Sequence, residues 1–352
     1  MSELKKQKIA AFDQNGMGVR SNQIFGLPFT EDESDVVLVP VPWDVTVSYG
    51  GQTASGPEAI REASYQVDLY DLDLPLAWQQ GIAMQPISAS WAALSKELRG
   101  KASTYLDFLS EGGEVGESPE MQVILREINQ GGERLRGWVR QETSKLLTAG
   151  KLVGLVGGDH STPLGFLDAL AEAHREFGIL QIDAHCDLRE AYEGFQYSHA
   201  SIMWNALKIP SVHRLVQVGI RDFSEGEMKV IESSDKRIRA FFDSTLKRRG
   251  FAGDSWKTLC QEITAELPQK VYISFDIDGL DPKLCPNTGT PVPGGLEFEQ
   301  AIYLLREVVN SGRKIIGFDL NEVSPGESEW DANVGARVLY RLCGLLIQSG
   351  KA

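Results

Sequence analysis

No stretch of about 18 apolar residues occurs in the chain, so nothing in it has the length of a membrane-spanning helix. The start, Met1-Ser2-Glu3-Leu4-Lys5-Lys6, lacks the apolar segment of a secretion signal, and the cytoplasm is the expected location. Positive charge is short as well. Lys and Arg total 35 against 49 Asp and Glu, a formal charge of −14. That balance disfavours nucleic acid as a partner and is compatible with a small cationic substrate. The four cysteines, Cys186, Cys260, Cys285 and Cys343, fall in no close-paired pattern, and thiolate metal chemistry is not suggested. Gly154, Gly157 and Gly158 are not in Gly-x-Gly-x-x-Gly order and no P-loop lysine occurs, which leaves no nucleotide fingerprint. Internal repeats are absent, and histidine is limited to five.

What the chain has instead is acid and imidazole just past three apolar runs. Gly178-Ile179-Leu180-Gln181-Ile182 has the length and composition of a buried parallel strand, and it runs into Asp183-Ala184-His185-Cys186-Asp187. Ligands at every second position project to one side while the backbone stays extended. Leu152-Val153-Gly154-Leu155-Val156 leads into Gly157-Gly158-Asp159-His160-Ser161. Val271-Tyr272-Ile273-Ser274-Phe275 leads into Asp276-Ile277-Asp278-Gly279, again with period two. Open α/β sheets place their sites beyond such strand ends. His160, Asp183, His185, Asp187, Asp276 and Asp278 together make two imidazoles and four carboxylates. One divalent ion cannot use six such groups comfortably, whereas two ions sharing bridging carboxylates can. An oxygen-rich set with a minority of nitrogen suits Mn²⁺ and is open to Ni²⁺ or Zn²⁺.

Gly-Gly-Asp-His-Ser, Asp-Ala-His-Cys-Asp and Ser-Phe-Asp-Ile-Asp-Gly-Leu-Asp-Pro resemble the three motifs of the ureohydrolase family, which includes arginases and agmatinases. The resemblance covers roughly residues 35 to 348. It implies an α/β fold, a three-layer α/β/α sandwich around a mainly parallel sheet. It also implies two divalent ions per chain: His160, Asp183, Asp187 and Asp276 at one, and His185, Asp183, Asp187 and Asp278 at the other, with Asp276 bridging. Asp187 resembles the carboxylate that handles the first proton, His199 the proton shuttle, and Glu322 the acid that binds the guanidinium. A homo-oligomer, trimer or hexamer, is implied too. In Leu188-Arg189-Glu190-Ala191-Tyr192-Glu193-Gly194 and Tyr197-Ser198-His199-Ala200 the chain is similar to the microbial agmatinase branch.

The expected reaction is hydrolysis of a small cationic guanidino compound to urea and an amine, agmatine to putrescine first. Guanidine or a guanidino acid is the alternative, arginase or formiminoglutamase activity follows, and an inactive scaffold of the same fold is the reading from another class. Trp43, Arg189, Glu190, Glu193 and Trp330 are the candidates for the substrate pocket. Gly50-Gly51 stands where the family carries arginine-proline, which bears on the substrate.

Along the chain, residues 1–34 read as a polar arm lying on the surface or on a neighbouring subunit. Residues 35–352 read as a single catalytic domain with a possible helical insertion around 100–147. Gly131-Gly132 is expected to interrupt that insertion, since glycine inside a helix costs about 1 kcal/mol against alanine. Glu322 follows the last strand, expected over Lys314 to Asp319, and should enter from the sheet edge opposite Gly157–His160. Arg221, past the run Leu215 to Gly219, should line the site mouth or hold a surface salt bridge.

Overall fold

The computed structural model describes residues 2–351 apart from Met17, Asn22, Tyr49 and Gly50. Tyr49 and the first glycine of the altered Gly50-Gly51 pair therefore lie outside the described residues. Eight parallel strands form one sheet: β1 (Val36–Pro40), β2 (Ile82–Met84), β3 (Leu152–Val156), β4 (Phe177–Ile182), β5 (Val212–Ile220), β6 (Ile238–Phe242), β7 (Lys270–Asp276) and β8 (Lys314–Asn321). Their order is β2-β1-β3-β8-β7-β4-β5-β6. Central strands such as β1 and β4 are buried along their whole length, as continuous apolar runs covered on both faces must be.

Two hydrophobic cores lie on the two faces. Helices Gly56–Ser64, Trp256–Ala265, Phe298–Asn310 and Trp330–Lys351 contribute to one. Helices Ala89–Ser110, Pro119–Thr148, Leu164–Ala173 and Ile202–Ala206 contribute to the other. The result is the three-layer α/β/α sandwich expected from the sequence. The last two strands return to the middle of the sheet between β3 and β4. The carboxyl ends of β3, β8, β7 and β4 consequently stand side by side, and three of those four carry the acid and imidazole motifs.

The structure differs from the sequence reading in several places. Residues 1–34 are more than a surface arm: Ile24, Phe25, Leu27 and Phe29 are buried, and Phe25 meets Tyr340 edge-on at 5.1 Å. Helix Glu3–Ala11 does lie outside, held where Lys5 Nζ donates to Gln80 O at 2.6 Å. Gly131-Gly132 does not interrupt its helix, which runs unbroken from Pro119 to Thr148. A Cβ on Gly131 would come within 2.4 Å of Leu98 Cδ1, and one on Gly132 within 2.8 Å of Tyr197 Cβ. Close packing thus offsets the glycine cost. Helix Glu225–Ser233 and strand β6 were not foreseen, although Ser224-x-x-Glu227 has the spacing of a capping box and forms one. Among the described residues no helix is long and apolar enough to cross a membrane.

Candidate active site

The first motif reaches the site through a passage that only glycine fits. A Cβ on Gly157 would lie 1.7 Å from Asn321 Oδ1, and one on Gly158 1.9 Å from Trp43 O. The chain passes between the ends of β1 and β8, and Asp159 N–H donates to Trp43 O at 2.7 Å. His160 emerges fully buried behind it. In the second motif the backbone does not stay extended throughout: Asp187 adopts a left-handed φ of 55°, which folds its carboxylate back toward Asp183 and His160. In the third, Asp276 Oδ1 accepts the Asp278 N–H at 2.8 Å and shapes the turn Ile277–Gly279.

These turns converge. His160 Nδ1 lies 3.0 Å from Asp183 Oδ2, 2.9 Å from Asp187 Oδ2 and 3.3 Å from Asp276 Oδ2. His185 Nδ1 lies 3.0 Å from Asp278 Oδ2 and 3.6 Å from Asp183 Oδ1. Donor atoms fall into two groups, His160 with Asp183 and Asp276, and Asp183 with His185 and Asp278, all within 4.8 Å in each group. Asp183 is the carboxylate common to both, offering one oxygen to each imidazole.

The chemistry of this set fits divalent cations. His160 Nε2 is 2.8 Å from Ser274 Oγ, which itself donates to Asp319 Oδ1 at 3.1 Å. Ser274 must then accept from Nε2–H, so in the neutral ring the bare Nδ1 lone pair faces three carboxylates. No hydrogen bond of good geometry satisfies that buried Nδ1. Lone pair against carboxylate is repulsive without a cation between them. Separations near 3 Å are those of neighbouring ligand atoms around an ion about 2.1 Å from each. Without metal a proton answers the same need. Burial opposes charging His160, but Asp183, Asp187 and Asp276 hold it well above its ordinary value. His185 is raised likewise by Asp278 and Asp183 against burial. Burial and the neighbouring Asp183 push Asp187 up to about 7.

Above this cluster opens a cavity of about 370 Å³. His185, Asp187 and His199 form its floor, and Arg189, Tyr192, Asp222, Phe223 and Glu227 stand around it with the segment Gly289–Val292. Burial and the nearby positive His185 and His160 push His199 down to about 3, which keeps it neutral. Thr46 Oγ1 accepts the His199 N–H at 3.1 Å, lies 3.5 Å from His199 Nδ1, and bonds Asp159 Oδ2 at 3.2 Å. Glu322 lies beneath, with Oε1 accepting the His160 N–H at 2.8 Å and Oε2 buried without a partner. Its position corrects the sequence reading. β8 is the neighbour of β3, so Glu322 arrives beside Gly157–His160, where its N–H donates to Gly158 O at 2.8 Å.

Of the five pocket candidates, Arg189 lines the cavity; the other four do not. Trp43 is buried in the core against Trp91 at 6.1 Å, because its strand end points into the helical layer. Glu190 is exposed outside the cavity. Glu193 turns away at φ 55°, half-buried near Arg189 and Arg99. Trp330 is a surface residue whose Nε1 donates to Lys283 O at 2.9 Å. Glu227 and Thr46 were not foreseen as site residues, and the capping box at Ser224 was the available signal for the former.

The two loops that border the cavity are fastened from outside by helices Ala89–Ser110 and Pro119–Thr148. Ser95 Oγ donates to Asp44 Oδ1 at 3.3 Å, and Arg99 Nη1 donates to Val45 O and Val47 O at 3.4 and 2.5 Å. Tyr105 Oη donates to Glu193 O at 3.0 Å, and Asn129 Nδ2 to Gly194 O at 3.1 Å. The segment around 100–147 is therefore a brace for the site rather than a lid over it.

Comparison with known proteins agrees with this geometry. Residues 34–344 match the Arginase family. A Thermus thermophilus protein named N(1)-aminopropylagmatine ureohydrolase is 33% identical over 316 residues, 89% of this chain and 91% of its own length. An agmatinase of Neisseria meningitidis serogroup B is 28% identical over 353 residues, covering 99% and 98%. The solved agmatine ureohydrolase of Thermoplasma volcanium has the same fold, with a TM-score of 0.70 at 21% identity over 98% of this chain and 99% of that one.

Proposed function

The chain belongs to the arginase family, whose members are hydrolases of guanidino compounds with a binuclear divalent metal centre, and from that premise we propose that it hydrolyses agmatine to urea and putrescine with Mn²⁺ as its metal. His160, Asp183, Asp187 and Asp276 would hold one ion, and His185, Asp183, Asp187 and Asp278 the other. Such a pair, when bound, would lower the pKa of water and make hydroxide available for attack on a planar carbon.

The chain's own residues do the rest. Glu322 Oε2, buried and unpaired, accepts an N–H of the guanidinium and orients its plane. Asp187, at the cavity floor, takes the proton released as water adds to the carbon. His199, neutral at rest, accepts that proton from Asp187 and relays it to the departing amine as the tetrahedral carbon collapses to urea. Thr46 Oγ1 and Ser198 Oγ flank the Nδ1 side of that ring at 3.5 and 3.4 Å, and His199 lines the cavity.

The observation that carries the substrate is the charge at the cavity wall. Arg189, the one Lys or Arg among the described lining residues, is already engaged, 4.5 Å over the Tyr192 ring and 3.8 Å from Glu227 Oε2. Asp222 has no Lys or Arg partner among the described residues; its Oδ2 stands 4.0 Å from His185 Nε2, and its side chain is 70% exposed. A cationic tail finds an exposed carboxylate there, whereas an anionic tail finds only Arg189, which is already engaged. The test is a urea-release screen over agmatine, arginine, guanidinobutyrate, guanidinopropionate and guanidine, with Mn²⁺ and Ni²⁺ separately. Agmatine should give the highest kcat/KM; a carboxylate-tailed compound or free guanidine in first place would overturn the assignment. The open cavity and the Thermus relative favour N(1)-aminopropylagmatine as a second reading, and it belongs in the same screen.

A further inference from the structure

Arg221 neither lines the cavity nor holds a surface salt bridge. No carboxylate pairs with its guanidinium among the described residues. Nη2 donates to the carbonyls of Asp278 at 2.7 Å, Val292 at 2.9 Å and Leu280 at 3.2 Å. Nε donates to Val292 O at 3.1 Å, and Nη1 to Gly219 O at 3.2 Å. Its backbone N–H donates to Ala184 O at 2.8 Å, between Asp183 and His185. One residue therefore ties together two ligand-bearing turns and the segment that walls the cavity. A rigid planar fork with five N–H groups can span four carbonyls in this way; a point-like ammonium cannot.

The wall depends on that tie. Among the described residues, segment 289–295 makes no hydrogen bond other than those Val292 O accepts from Arg221. The next bonds, Leu296 N–H to Gly279 O at 3.0 Å and Asp281 N–H to Leu296 O at 2.9 Å, lie at its foot. Gly294 and Gly295 take left-handed φ of 103° and 99°, and a Cβ on Gly295 would meet Arg221 Nη2 at 3.0 Å and Leu280 O at 2.6 Å. The glycine pair makes the space that the guanidinium fills.

We propose that Arg221 is a positioning residue that fixes the wall Gly289–Val292 at a set distance from Asp278, and so decides how the substrate's tail fits. The inference about the tail rests on the guanidino-amine reading; the inference about the wall does not. Arg221→Lys tests it, with Gly295→Ala as a second perturbation that leaves the charge in place. In hydrogen exchange on the metal-loaded protein, peptides covering 279–296 should exchange at least tenfold faster in either variant, with the rest of the sheet unchanged. With Mn²⁺ saturating, KM for agmatine should rise tenfold or more while kcat stays within about threefold. The inhibition constant of putrescine should weaken tenfold or more, and that of the guanidinium ion should stay within about twofold. Unchanged exchange in 279–296 would overturn the strut. Putrescine and guanidinium weakening in parallel, or neither weakening, would overturn its role in tail fit. A parent enzyme that releases no urea and binds no putrescine would overturn the substrate reading, while the exchange result still decides the strut.

Discussion

Glu322→Gln separates substrate recognition from stability. The Glu322 backbone takes a left-handed φ of 62°, and its carboxylate is buried with one oxygen on the His160 N–H and the other unpaired. Holding it there is costly without substrate: burial first, then the charge of Asp159, raise its pKa well above the ordinary value. Glutamine keeps the shape and the bond to His160 through its carbonyl oxygen. It also turns the second oxygen into a donor aimed at the guanidinium's donors. A charge-assisted hydrogen bond becomes a partly repulsive contact, a loss of roughly 2 to 4 kcal/mol. That corresponds to about 30- to 1000-fold in kcat/KM. The Tm of the metal-free protein should not fall, because the substitution removes a buried charge near another acid. Urea release, metal analysis and a melting curve on one preparation decide the matter. Activity within about threefold of the parent on every guanidino substrate, or loss of an ion along with activity, would refute the reasoning.

Asp276→Asn should cost at least one of about two ions per chain in elemental analysis; full occupancy surviving it would end the ligand assignment. His199→Ala should keep both ions while the rate falls about 10²-fold or more, the usual range for a lost acid–base group. Metal loss in step with activity would make His199 structural. The pH dependence has a definite sign. His160 and His185 are raised in the metal-free protein, so the stability their protonation gives is complete below the ordinary histidine value and is lost as pH rises above it; Asp187, raised to about 7, loses its share between the ordinary carboxylate value and about 7. The metal-free Tm should therefore fall from mildly acidic to alkaline pH, while metal affinity rises and binding releases protons, as calorimetry in buffers of different ionisation enthalpy would show. A metal-free Tm that climbs over that interval would contradict the electrostatics.

The strands with continuous apolar sequence were legible, since such runs have few other uses, and so was the sharing of space by their acidic ends. Adjacency was not. β7 and β8 return to the sheet centre, and nothing local in Lys314–Asn321 says that its neighbour is β3; Glu322 was consequently expected on the wrong side. Gly131-Gly132 misled because the glycine penalty is local, while the packing against Leu98 and Tyr197 that offsets it is not. Trp43 misled for a similar reason, as a large apolar ring beside a functional loop suits a core as well as a pocket. Arg221 was expected at the site mouth or in a surface salt bridge and takes neither place, because its partners are backbone carbonyls that any residue supplies.

The brace formed by helices Ala89–Ser110 and Pro119–Thr148 has a consequence for how this enzyme can change. Arg99, Tyr105 and Asn129 grip backbone carbonyls of the cavity loops, so they constrain loop shape and leave loop side chains free. Mutations can accumulate at the surface of the cavity without loosening it. Conversely, a single exchange on the inner face of either helix shifts a whole loop at once. Selectivity in this chain thus has two separate dials, one in the lining and one a layer behind it, and a search for altered substrate range that varies the lining alone would turn only the first.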